Sequence, residues 1–213
     1  MSVVEGDKTA TIDKAIENIQ RCEGNDLAIL PEIWNIGFMS FDRYVSEAED
    51  SSGQTLRRLR AAAKEAGLYL HTGSFVEDKN GKYYNSSYLI SPDGDVLANY
   101  LKIHLFGYNS KETQLLSPGD SIVTIGTSLG KIGLATCYDL RFPELFRRMV
   151  EQGVQIILVC SAWPYPRLEH WLMLNRVRAL ENQCFLISAN SVGLNQGIQF
   201  LSLIHISEPT RLC

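Results

Sequence analysis

Apolar residues recur at helical spacing at Ile12, Ala15, Ile16 and Ile19, which predicts an amphipathic helix ending near Cys22. Gly24-Asn25-Asp26 breaks that pattern, and residues 27–30 read as a short buried strand running into Pro31-Glu32. The loop that follows carries Trp34, Gly37, Phe38, Met39 and Phe41. Aromatics so dense outside a periodic element point to a pocket wall or an interface, with plain packing as the alternative. Leu56, Leu59, Ala62, Ala63 and Ala66 mark a second helix, closed by Gly67. Strands are predicted over 68–75, 83–90 and 96–100, with turns at Asp78-Lys79-Asn80-Gly81 and Ser91-Pro92-Asp93-Gly94. Asn-Gly and Asp-Gly between apolar runs are hairpin signals. A further hairpin, 122–125 with 131–136, begins after Ser117-Pro118-Gly119-Asp120 and turns through Ser128-Leu129-Gly130.

Residues 131–144 hold the sharpest change of character in the chain. The apolar run 132–136 has the length of a buried strand, Cys137 follows it at once, and Tyr138-Asp139 read as turn residues. Pro143 then opens a helix with Leu145, Phe146, Met149 and Val150 on one face, a position where its missing N–H goes unmissed. A strand at 154–159, a helix lined by Leu168, Trp171, Leu172, Leu174, Val177 and Leu180, and a strand at 185–188 complete the pattern. Helices interleaved with strands and hairpins predict a layered α/β domain of mixed sheets, with no repeat or linker dividing it.

Composition narrows the function classes. The 213 residues suffice for one core, and a net charge of −4 gives no footprint for nucleic acid or an anionic membrane surface. No apolar run reaches the ~20 residues of a membrane helix, and MSVVEGDK lacks the layout of a secretory signal. Five cysteines without CxxC spacing suit reduced thiols, so a cytoplasmic location is expected.

Three polar groups stand where predicted strands finish, the places where ligand sites gather in α/β sheets: Glu32, Lys102 and Cys137. A carboxylate, an ammonium and a thiol at one edge would supply a base, an oxyanion stabiliser and a nucleophile. Each also has a structural reading, as a turn cap, a solvated strand-end charge and a packed core thiol. A Cys–His thiol protease using His71, His104 or His170 would leave Glu32 and Lys102 idle. A zinc site lacks ligand spacing. A non-catalytic binding protein or an inert fragment keeping the fold remains the reading from another class.

The segments LPEIWNIGF, YLKIHLF, LLSPGD and GLATCYDLRFPELFR, followed by SAWP and EHWLMLNRVRALENQ, resemble the nitrilase superfamily of carbon–nitrogen hydrolases, in the order that family keeps. The likeness runs from Val4 to about Gly193 and is nearest to the omega-amidase-like branch. It implies an α-β-β-α sandwich of mixed sheets. It further implies hydrolysis of a small primary amide through a Cys137 thioester, with Glu32 as base, Lys102 and the Tyr138 N–H on the oxyanion, and Glu112 orienting Lys102. Carbamoylase and nitrile-cleaving relatives would use the same residues. Phe38, Trp163, Tyr138 and Tyr44 are expected near the substrate. Arg141 is expected to brace the corner through Asp139 and Glu144, or else to meet a substrate carboxylate. The resemblance implies no metal or organic cofactor, and a homodimer or higher homo-oligomer. Relatives begin with an earlier strand and continue past Phe200, so a hydrolase domain over 1–200, truncated at both ends, is expected. Residues 201–211, LSLIHISEPTR, resemble a translated sequencing adapter, and 201–213 are set apart from the fold on that ground.

Overall fold

A computed structural model describes residues 1–201 and 204–208 of the chain. The first sheet has the order β1-β2-β3-β4, from β1 (Leu27–Ile29), β2 (Tyr69–Lys79), β3 (Lys82–Ile90) and β4 (Val96–Leu101). β1 runs parallel to β2, whereas β2, β3 and β4 form an antiparallel meander. The Asn80-Gly81 turn adopts φ of 58° and 82°, the paired positive angles that a tight two-residue hairpin demands. The second sheet contains β5 (Thr124–Thr127), β6 (Gly130–Thr136), β7 (Ile156–Ser161), β8 (Phe185–Asn190) and, after a small hairpin of β9 (Gly193–Asn195) and β10 (Ile198–Phe200), β11 (Ile204–Ser207). Its order is β11-β8-β7-β6-β5, with β6, β7 and β8 parallel and both outer strands antiparallel.

The two sheets face one another across Leu89 and Tyr100 from the first and Ile132, Leu134 and Leu158 from the second, all fully buried. Helices cover the outer faces. α1 (Lys8–Gln20) and α2 (Gln54–Ala66) lay Ile12, Ile19, Leu56 and Leu59 on the first sheet. α4 (Pro143–Glu151) and α5 (Leu168–Asn182) lay Phe146, Met149 and Trp171 on the second. The architecture is therefore the expected α-β-β-α sandwich. Among the described residues no helix is long and apolar enough to cross a membrane.

Several boundaries differ from the sequence-based expectation. β2 continues four residues past Phe75, because Glu77, polar by sequence, is buried and accepts the Tyr88 hydroxyl. The strand expected at 154–159 lies two residues later, since Val154 packs in the loop while Cys160 and Ser161 pair with Ala189 and Asn190. The expected strand 122–125 is likewise shifted to Thr124–Thr127, in register with Gly130–Gly133. The hairpin at 193–200 and the short helix α3 (Glu112–Leu115) were not expected. From the segment set apart at 201–213, residues 204–207 form an edge strand on β8, whose free edge offers backbone partners to any extended segment. Residues 202, 203 and 209–213, Cys213 included, lie outside the described residues.

Candidate active site

Three strand ends of the sandwich converge. Glu32 follows β1 in a buried turn whose backbone ties the sheets together: its own N–H donates to the Ser161 carbonyl at the end of β7, at 3.3 Å. The turn fits only because Gly73, at a β-bulge in β2 with φ of 62°, brings its backbone against Leu30 and Pro31, where a Cβ would collide. Lys102 follows β4, and its backbone binds Asn85 on β3 and Gly119 of the SPGD segment. Gly119 packs directly on Leu101, which leaves no room for a side chain there. Cys137 follows β6 and opens a 3-10 helix, Cys137–Arg141, rather than a simple turn. Its φ of 50° is uncommon for a residue with a side chain, and it aims the sulfur off the strand tip at a sharp strand-to-helix corner.

The side chains form one buried polar cluster. Lys102 Nζ lies 2.7 Å from Glu32 Oε1 and 2.9 Å from both oxygens of Glu112, and none of the three residues is exposed. Asn85 Nδ2 donates to Glu32 Oε1 at 2.9 Å and to Glu112 Oε1 at 2.8 Å, bridging the carboxyl groups. The Phe106 N–H donates to Glu112 Oε2 at 2.7 Å. Glu32 Oε2 has no hydrogen-bond partner of good geometry among the described residues, while the Cys137 thiol beside it is close enough for each to shift the other. Burial raises the Glu32 pKa above its ordinary value, partly offset by Lys102 and reinforced by Glu112. Burial alone would lower Lys102, but the facing Glu112 and Glu32 hold it well above its usual range, hence charged. Cys137 is pushed far up by burial and by Glu32, against the pull of Lys102 and of the Ala162 backbone. At rest Cys137 is therefore held as the thiol, beside the Glu32 carboxyl group.

A second network braces the corner. Asp139 accepts the Tyr100 hydroxyl at 2.7 Å and the Thr136 N–H at 2.8 Å on one oxygen, and meets the His104 N–H and Nδ1 on the other. The His104 ring stacks on Phe142 with centroids 3.6 Å apart. Residues 100–104, which carry Lys102, are thereby fastened to residues 136–139, which carry Cys137.

Cys137 lines a cavity of about 530 Å³ whose walls include Phe38, Tyr138, Trp163 and Phe200. Two expected positions fall elsewhere. Tyr44 is wholly buried behind Phe38, donating its hydroxyl to the Phe38 carbonyl at 2.6 Å, because the loop folds back on itself there. Arg141 is exposed and does not line the cavity. Instead of pairing with Asp139, which other donors saturate, its guanidinium lies 5.0 Å from the Trp163 ring and 5.9 Å from that of Tyr138. His71 is buried with its pKa lowered to about 3 by desolvation, and His170 is exposed.

Sequence reasoning did not single out Asn85, and it read Asp139 only as a turn residue bracing Arg141, not as the link to Tyr100 and His104. The only available signal for Asn85 was a polar residue in a strand. Among the described residues, no cluster of three or more His, Cys, Asp or Glu stands in a metal-ligating array.

Comparison with known proteins places this geometry. Residues 2–203 match the family model for carbon-nitrogen hydrolases. The chain is 34% identical to a 2-oxoglutaramate amidase of Paenarthrobacter nicotinovorans, over 92% of this chain and 71% of that one. It is 35% identical to the omega-amidase NIT2 of Xenopus tropicalis, over 86% of this chain and 69% of that one. The crystal structure of Saccharomyces cerevisiae Nit3, a member of the nitrilase superfamily, superposes with a TM-score of 0.89 at 29% identity, covering 98% of this chain and 80% of that one. A strand-end cysteine between two facing sheets, in a chain matched along nearly its whole length by one family model, belongs to the carbon–nitrogen hydrolase family.

Proposed function

We propose that this carbon–nitrogen hydrolase cleaves the terminal primary amide of a short carboxylic acid, releasing ammonia and a dicarboxylic acid, by way of a thioester on Cys137. The observation that carries the reading is the unpartnered Oε2 of Glu32 beside the Cys137 thiol, with Lys102 fixed behind both. The relatives named as 2-oxoglutaramate amidase and omega-amidase support the substrate class.

The chemistry follows from the charges. Because the thiol rests protonated, attack on the amide carbon is coupled to transfer of its proton to Glu32, whose raised pKa makes it a stronger base. The carbon–sulfur bond forms as the carbonyl π pair moves to oxygen. That oxyanion is met by Lys102 and by the Tyr138 N–H, which as an early donor of a 3-10 helix has no intrahelical acceptor. Lys102 spends all three protons on carboxylates at rest, two of them on Glu112 alone, so one can turn to the oxyanion without leaving a carboxylate unpaired. One such donor is worth about 3–4 kcal/mol of barrier. As the oxyanion collapses, the carbon–nitrogen bond breaks and Glu32 passes its proton to nitrogen, so ammonia leaves. Water then gives a proton to Glu32 and its oxygen to the thioester carbon, and the thiolate leaves with that proton restored.

The test is incubation of the protein with glutaramate and related primary amides, following ammonia and the mass of the Cys137 peptide. Ammonia release with a trapped acyl adduct on Cys137, both abolished in Cys137→Ala, is the expected result. Release undiminished in Cys137→Ala overturns the mechanism, and faster turnover of carbamoyl substrates overturns the amide assignment. We further propose that the chain self-associates through α5, where Met173, Val177 and Leu180 leave an apolar stripe exposed. Sedimentation showing monomer at micromolar concentration would count against it.

A further inference from the structure

The cavity wall is almost wholly uncharged. Of the residues that line it, only Arg167 carries a formal charge, and no acidic side chain lines it. Glu32 and Lys102 lie beneath the floor and satisfy one another. Arg167 closes a 3-10 turn, Tyr165–Arg167, in which Pro164 and Pro166 restrict the backbone, and α5 begins at the next residue. Its guanidinium carbon lies 5.2 Å from the Phe106 ring centroid and 5.4 Å from that of Tyr108, so two aromatic faces hold it in place. The side chain is half-buried, and no carboxylate pairs with it among the described residues.

A guanidinium that is partly desolvated, positioned by aromatic rings and left without an acceptor is a site for a planar anion. Its fork geometry matches both oxygens of a carboxylate. With the nucleophile at one part of the same cavity and this cation at another, we infer that Arg167 binds the carboxylate of the substrate and so presents the opposite, amide end to Cys137. The inference rests on the proposed amide hydrolysis and adds the residue that selects among amides. A substrate ending in an ammonium group would meet Arg167 and be rejected.

The experiment compares glutaramate with its methyl ester, which keeps the amide and loses the anion, in the wild-type protein, Arg167→Ala and Arg167→Lys. Wild type should favour the free acid. In Arg167→Ala the ratio of kcat/KM for acid over ester should fall by roughly 10- to 100-fold, chiefly through KM, as expected for loss of a charged hydrogen-bond pair. Arg167→Lys, which keeps the charge but not the fork, should fall between them. A ratio unchanged in Arg167→Ala, or equal losses on both substrates, overturns the assignment. Should wild type release ammonia from neither compound, the amide reading fails by itself. Calorimetric binding of glutarate then decides the anchor: about tenfold weaker binding in Arg167→Ala upholds it, and equal binding overturns it.

Discussion

Glu112→Gln is the most searching perturbation of the buried cluster, because it keeps the shape and removes one charge. The two oxygens of Glu112 accept four hydrogen bonds: Asn85 and Lys102 on Oε1, Lys102 and the Phe106 N–H on Oε2. A glutamine must place an NH2 group on one side or the other. On either side it faces Lys102 and one neutral donor, so two donors lose their acceptor in a region no water reaches. One charged and one neutral loss in a buried site amount to about 3–5 kcal/mol, the range found when buried ion pairs are broken. For a chain of this length that corresponds to a fall in melting temperature of roughly 6–20 °C. Activity should change in a second, independent way. Glu112 pushes the Glu32 pKa up, and Lys102 pulls it down. With Glu112 neutral, Lys102 acts on Glu32 alone, so Glu32 becomes a weaker base that loses its proton at lower pH. The acidic limb of kcat/KM should move to lower pH and the plateau should drop. Differential scanning fluorimetry and pH–rate profiles on the same preparation read both effects. A variant that melts with the wild type and keeps its acidic limb in place would refute the electrostatic account of the cluster.

Three further outcomes follow from residues around it. His71 is neutral in the fold, with a pKa near 3, but ordinary once unfolded, so below about pH 6.5 the unfolded state takes up a proton the folded state refuses. Urea denaturation should show about 2 kcal/mol of stability lost from this residue between pH 7 and 5, and an equal loss in His71→Gln would rule it out. Gly73→Ala should cost at least about 1–3 kcal/mol from positive φ alone, more from collision with Pro31, and should weaken activity by displacing Glu32; wild-type stability and turnover would contradict that. Iodoacetamide should modify Cys137, which opens on the cavity beside Glu32, well before Cys160 and Cys184, which are buried and line no part of it. Labelling of Cys137 that is undiminished in Glu32→Gln would show that the carboxylate does not draw the thiol proton.

The fold was legible wherever the chain speaks in local signals. Asn80-Gly81 announces a hairpin because both residues must take positive φ, and Pro143 announces α4 because it has no N–H to waste. Apolar periodicity located the faces of α1, α2 and β6 for the same reason. It was silent on polar residues that are buried. His71, Thr72, Ser74, Glu77, Asn85, Ser86 and Ser87 all lie in the interior of the first sheet, where alternation of apolar and polar residues would have put several outside. Hence β2 was expected to end at Phe75, and Asn85, which joins Glu32 to Glu112, went unnoticed. Strand ends pointed to Glu32, Lys102 and Cys137 from position alone. The role proposed for Arg167 depends on a cavity assembled from residues 38 to 200, which no local window contains.

The location of the cluster explains why its geometry is so strongly tied down. Glu32 and Lys102 belong to the first sheet, whereas Cys137 belongs to the second. The distance between the proposed base and nucleophile is therefore set by how two separate sheets pack, not by either backbone alone. An apolar interface of Leu89, Tyr100, Ile132, Leu134 and Leu158 is strong but non-directional, and by itself would tolerate small slippage. Directional links supply what it lacks: the Glu32 N–H to the Ser161 carbonyl, and Tyr100 and His104 to Asp139. Each crosses from one sheet or its following loop to the other within a few residues of the reacting atoms. A misplacement of about 1 Å can cost on the order of 100-fold in rate, so in the proposed mechanism these cross-links hold the reacting groups in place as well as joining the sheets. The polar residues that periodicity could not interpret are, in this fold, the ones that hold the two halves of the site in register.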